Sequence, residues 1–144
     1  MSAIRALQIV AVAVTSILDT SAAVAAQTGH GAPQCFREGA SLPDQLPLVV
    51  FQTLNARESG GLLGTYLVDV VLYAIASTMP AAGDLLTVAR EALTPLAFAA
   101  VGVDAVPETG GRADSEPLDP EDLPFLEADG VATTLTLAVY LTPE

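Results

Sequence analysis

The sequence predicts an α+β fold, a mainly antiparallel sheet with two helices packed on one face. Three observations lead there. Residues 4–18 and 80–94 repeat apolar positions at helical spacing. Residues 48–54, 65–76 and 131–141 are apolar runs of β-branched and aromatic character. The strands come in runs interrupted by helices, the order of an α+β chain rather than of strict βαβ alternation.

The first helix is argued from angle. At 100° per residue Arg5, Gln8, Thr15, Ser16 and Asp19 share one sector, and Ile4, Leu7, Ala11, Val14 and Leu18 the opposite one. A competing pattern overlies it. Arg5, an apolar run and the small residues from Ser21 to Ala26 imitate a secretory signal with its cleavage site. Signal segments need no polar stripe, and Gln8 and Asp19 interrupt the apolar run, so a retained helix is the expectation. A membrane span is not expected, because about 20 clean apolar residues are needed.

Gly29, Gly31 and Pro33 make 27–33 a loop, and 34–37 reads as a short strand. A second loop, 38–47, carries Gly39, Pro43 and Pro47. Residues 48–54 then form a buried strand, and 65–76 a longer one. Glu58, Ser59, Gly60 and Gly61 between them are a turn signal, so the two strands are read as an antiparallel hairpin with a projecting tip at 55–64. In the second helix Pro80 suits the first turn and Asp84 the positive end of the dipole, while Pro95 ends or kinks it. Residues 98–106 fit a strand broken at Gly102, and 107–130 a long, acidic, proline-rich loop. The strand at 131–141 alternates cleanly. Val131, Thr133, Leu135, Leu137, Val139 and Leu141 face the helices, and Ala132, Thr134, Thr136, Ala138 and Tyr140 form the more exposed row.

At 144 residues, a single domain spanning 1–144 is expected, with enough chain to bury a core without staples. Seventeen acidic residues stand against five basic ones, all Arg, for a net charge of −12. That balance excludes a free-standing nucleic-acid binder, which needs a basic face. One Cys excludes an internal disulfide framework and a cysteine-built zinc site.

No phosphate loop, dinucleotide fingerprint, zinc-protease helix or nucleophile elbow is present. His30 and Cys35 are the one base and thiol available, and the plainer reading is a loop His and a small buried Cys. Asp119, Glu121, Asp122, Glu127 and Asp129 lack the spacing of a calcium loop, so a solvated acidic segment is expected. Asp69 inside an apolar strand is read as an edge or paired carboxylate. Arg57 and Glu58 either pair across strands or meet a neighbouring subunit. No catalytic residue, metal site or cofactor is expected.

This order of elements resembles the tail-terminator (tail-completion) proteins of long-tailed phages and related viruses. The resemblance is carried by the opening helix 4–18 and its Gly-rich loop, and by the proline-led strand Pro47, Leu48, Val49, Val50, Phe51. The strand 66–72, the helix 84–93 and the closing strand 135–140 continue it. It spans nearly the whole chain as a pattern of elements, with no short motif behind it. The long acidic segment 107–130 and the small-residue run at 21–26 depart from the family's pattern.

The resemblance implies a small α+β virion protein at the neck or tail junction, assembled in the host cytoplasm. It would cap the tail tube as a homo-oligomeric ring, a hexamer in the family. Partners would be its own copies, the tail-tube protein and a head-completion or neck protein, with genome DNA a passing, non-specific neighbour and no membrane involved. Ring contacts around a closed circle use two different faces of each subunit. The hairpin tip supplies one, through Asn55, Arg57, Glu58, Gly60, Gly61, Leu62 and Leu63. An acidic lumen would repel DNA phosphates, although acidity also serves plain solubility. The alternatives are a head-completion or neck connector, and an exported acidic binding domain with a cleaved leader.

Overall fold

The computed structural model describes residues 2–29, 35–37, 47–58, 65–108, 112–117 and 131–142. The chain runs α1 (Ala3–Thr20), α2 (Ala22–Thr28), β1 (Cys35–Arg37), β2 (Leu48–Glu58), β3 (Tyr66–Ala76) and α3 (Met79–Ala92). It continues through α4 (Pro95–Ala100), β4 (Ala105–Pro107), β5 (Arg112–Pro117) and β6 (Val131–Leu141). The strands form one six-stranded sheet in the order β1-β2-β3-β6-β4, with β5 also on β6. Only β1 and β2 run parallel; every other pair is antiparallel. The fold is α+β, as the sequence predicts.

Local chemistry explains the elements. Ser2 caps α1 by accepting from the Arg5 N–H at 3.1 Å. Ser21 closes α1 through its own N–H to the Leu18 carbonyl and opens α2 by accepting from the Val24 N–H at 3.3 Å. The run that imitates a cleavage site is therefore a second helix, stopped at Gly29 in the left-handed conformation with φ 73°. Thr78 caps α3 and Thr94 caps α4, each with a proline in the first turn.

Two expectations give way here. The stretch 98–106 is not one strand. Thr94 accepts from the Ala97 N–H at 3.0 Å, so Pro95 starts a new helix as well as stopping the old one. Gly102, at φ 81°, then turns the chain into the three-residue β4. Nor is 107–130 all loop, because 112–117 pairs with 131–136 as β5. A strand on a sheet edge needs no apolar run, which is why composition hid it.

β3 pairs with β6 along its whole length, so β4 and β5 share the opposite edge of β6. Glu108 fills the gap between them. Its N–H donates to the Ala138 carbonyl and its Oε1 accepts from the Ala138 N–H, both at 2.8 Å. The Arg90 guanidinium donates to the Glu108 carbonyl. A side chain thus supplies the ladder bond that a strand would otherwise make.

The core lies on one side of the sheet. Val10, Val14 and Leu18 of α1, Leu85 and Ala89 of α3, and Phe98 of α4 are buried against Phe51, Val70, Leu72, Leu137 and Val139. Val24 of α2 joins the same cluster, so four helices rather than two share that face. The first helix is turned from its expected setting. Its buried residues are Ala6, Val10, Ala11, Ala13, Val14, Ile17 and Leu18. That centres the buried stripe roughly 60° from the sector drawn from sequence, and Ile4 is 70% exposed. The buried stripe in fact stands opposite the polar sector of Arg5, Gln8, Thr15, Ser16 and Asp19; the apolar set drawn from sequence is off-centre because it takes in Ile4 and Leu7 and leaves out Ala6, Val10, Ala13 and Ile17.

The reverse face of the sheet carries a smaller cluster, Leu48, Val50, Ile75 and Ala132, flanked by Phe36 and Tyr73. No described helix packs there. Toward the other end this face presents Val106, Tyr140, Leu67 and Arg57 in one row across β4, β6, β3 and β2.

Candidate assembly surface

β2 does not stop at Leu54. Leu54 pairs with Asp69 and Arg57 with Leu67, so Asn55 and Ala56 together oppose Val68. This is a bulge, with Asn55 at φ 56°, a left-handed conformation that Asn adopts more readily than most residues. The extra residue turns Ala56 toward the core and Arg57 to the reverse face. Asn55 Nδ2 donates to Asp69 Oδ2 at 3.2 Å. Arg57 Nη1 donates to the Asn55 carbonyl at 2.7 Å and reaches Asp69 Oδ2 at 3.5 Å. Asp69 is thus a paired carboxylate, and Arg57 pairs across strands. The ion pair is half-open to water and contributes only ~0–1 kcal/mol. Its effect is to hold the bulge in place, so that pairing with β3 resumes at Arg57 and Glu58.

The structure brings Asn55 and Arg57 together on Asp69 and sets Glu58 opposite Tyr66 at the strand end. Residues 55–58 thereby belong to β2, and Gly60, Gly61, Leu62 and Leu63 lie outside the described residues. The bulge had one signal in the sequence, an Asn directly after an apolar strand run. The row across four strands had none, because it depends on register. Tyr140 is 41% and Val106 50% exposed, an apolar rim beside the Arg57 guanidinium.

The thiol is a structural group. Cys35 is buried, its Sγ donates to Asp19 Oδ1 at 3.5 Å, and its N–H donates to the same oxygen at 3.1 Å. Burial, then the Asp19 charge, then that hydrogen bond push the thiol far above its ordinary value of 9.0. It stays protonated, which denies it nucleophilicity and fastens β1 to α1. His30 lies outside the described residues, as does the acidic run at 119–129. Among the described residues no group of three or more His, Cys, Asp or Glu is placed to hold a metal ion.

A pH dependence follows. The unfolded thiol ionises near its ordinary value while the folded one does not, so folded stability falls as pH rises past 9.0. Urea midpoints at pH 8 and 10 are expected to converge for Cys35→Ala relative to the parent. An unchanged alkaline loss would show that other groups carry it.

The fold and this surface define an α+β sheet protein with helices on one side and, on the other, a strand face that is buried at the Leu48–Ile75 end and exposed at the Tyr140 end. No protein-family model matches the chain, and no curated protein matches it in sequence. A solved structure shares its fold, a chain in the virion of a native gene transfer agent particle. The two align with a TM-score of 0.62 at 15% identity, over 90% of this chain and 92% of that one. At that identity the likeness is one of fold.

Proposed function

We propose that this chain is a structural virion protein, not an enzyme, which caps the tail tube as a homo-oligomeric ring. It ends tube growth and joins the tail to the head at the neck. The observation that carries the reading is the near end-to-end fold likeness to a chain of a virion particle, with little unmatched on either side. The order of elements, which resembles the tail terminators, supports the finer role. The exposed row of Val106, Tyr140 and Arg57 and the segment that follows β2 are our candidates for the two unlike faces that a closed ring requires. A hexamer is the state the resemblance implies. Its partners are the tail-tube protein on one side and a head-completion or neck protein on the other, with DNA passing an acidic lumen.

Native mass spectrometry of the full chain, alone and with tube protein, tests this. A mass of about six copies, or rings formed on tube ends that halt their growth, is expected. A strict monomer that ignores tube protein would overturn it, and rings that bind only a portal-side protein would move the assignment to a neck connector. Replacing Gly60 and Gly61 by Val strains the turn and is expected to reduce ring yield with little change in melting temperature. Wild-type ring yield in that variant would remove the tip from the interface.

A further inference from the structure

Each broad side of the chain carries a polar group without a protein partner, set among exposed apolar side chains. On the helix side a groove of about 290 Å³ lies between α1 and the turn that follows α4. Ile9, Val12, Val101 and Val103 wall it, together with Arg5 and Gln8. Val12 is 66% exposed. Arg5 is exposed too, and among the described residues its guanidinium makes no hydrogen bond or ion pair. Arg57 and Arg90, by contrast, are held by Asp69 and by the Glu108 carbonyl. On the reverse face stands Tyr140, with Leu67 and Val106 beside it in register. Strand side chains stand roughly perpendicular to the sheet, so its ring projects from that apolar row. Its hydroxyl makes no hydrogen bond among the described residues.

Water satisfies both polar groups but not the apolar residues around them. Covering those residues strips the water away, and each polar group then needs a partner. The two suit each other. A cavity of about 150 Å³ already holds benzene, so the groove admits a phenol ring. Seated there, the ring meets Ile9 and Val12, takes the Arg5 guanidinium against its face as a cation–π contact, and brings its hydroxyl to Gln8. Asp69, diagonal to Tyr140 across the β3–β6 pair, adds a carboxylate on the same face. Within one chain the groove and the ring cannot meet. Val139 and Leu141, flanking Tyr140, are buried on the helix side, and Val10, Val14 and Leu18 turn α1 toward the sheet. The sheet and the thickness of α1, about 10 Å, stand between them.

We infer that Tyr140 of one copy seats in the α1 groove of the next, against Arg5, joining the two broad sides of the chain head to tail. The inference rests on the ring reading and names one of its contacts. Such a contact repeats around a ring without using either surface twice. It also agrees with the placing of β2. The Leu7 carbonyl accepts from Thr53 Oγ1 at 3.2 Å, so the first turns of α1 lie over the half of β2 that ends at Glu58. The groove therefore extends the face from which the segment after β2 departs.

Val12→Cys puts a thiol at the groove and Val106→Cys puts one beside Tyr140, in separate full-length chains. Cys35, buried and protonated, does not compete. A short bismaleimide is expected to link the two variants when they are mixed, giving a dimer with one of each by intact mass, and to leave either variant alone unlinked. Adding Tyr140→Ala to the Val106→Cys chain is expected to cut the yield at least tenfold, and adding Arg5→Gln to the Val12→Cys chain severalfold. Both residues are exposed, so the melting temperature should stay that of the parent. Links within one variant alone, or mixed links that survive Tyr140→Ala at full yield, would overturn the contact. Rings that form without mixed links would sink this contact and leave the ring reading. Mixed links in a protein that builds only open chains and ignores tube protein would keep the contact and sink the ring reading, and the absence of both rings and links would overturn both.

Discussion

Val14→Asp is expected to unfold the protein, while Val12→Asp, two positions away on the same helix, leaves it folded. Val14 is wholly buried in the cluster that joins α1 to the sheet, and Val12 is 66% exposed. A carboxylate at position 14 meets no described cation and lies among Val10, Leu18 and strand side chains. Removing a carboxylate from water without a partner, on top of the lost packing, costs at least ~4 kcal/mol. Domains of this size have about 5–15 kcal/mol to lose. At position 12 the change stays within ~0.5 kcal/mol, as for other exposed sites. Circular dichroism against urea decides the matter. A folded Val14→Asp would mean that α1 is peripheral, and the apolar N-terminal segment would then be better read as a leader or an anchor. By length and composition α1 would also pass as a membrane span, so its burial is the property that counts.

Phe51→Ala is the second large effect. Phe51 is fully buried on the helix-facing side of β2, paired with Leu72 on one side and Arg37 on the other. Truncation removes the ring's transfer energy and leaves a void that close-packed neighbours fill only in part, a loss of ~3–5 kcal/mol. The urea midpoint should fall with its slope unchanged. A loss below ~1 kcal/mol would show that β2 is loosely held and that the one-sided core is not the main source of stability. Leu54, on the reverse face and partly exposed, should lose much less on the same truncation.

What was legible followed from period and punctuation. The strand at 131–141 runs to the same ends in the structure, because its alternation extends over eleven residues with one face apolar but for Thr133. The hairpin and the α3 helix were equally plain. Three features were not. The helix α4 was hidden because a proline that ends one helix also begins the next, and only the Thr94 cap distinguishes the two. β5 was hidden because an edge strand with polar residues looks like solvated chain. The setting of α1 was missed because the apolar set was built on Ile4 and Leu7, although the polar sector from Arg5 to Asp19 marks the side opposite the buried stripe. For the candidate surface, Asn55 and Arg57 were read as members, while their convergence on Asp69 depends on a register shift that no local pattern announces.

β6 follows every other described element in the chain, yet it pairs with β3 along its full length and is the sole partner of both β4 and β5. On the ribosome, therefore, the sheet stays open until residues 131–141 have emerged. Until then Val70 and Leu72 have lost water on one flank only, and the long edge of β3 is free to pair with whatever strand comes near. Chains interrupted before Val131 should be sticky and quickly degraded.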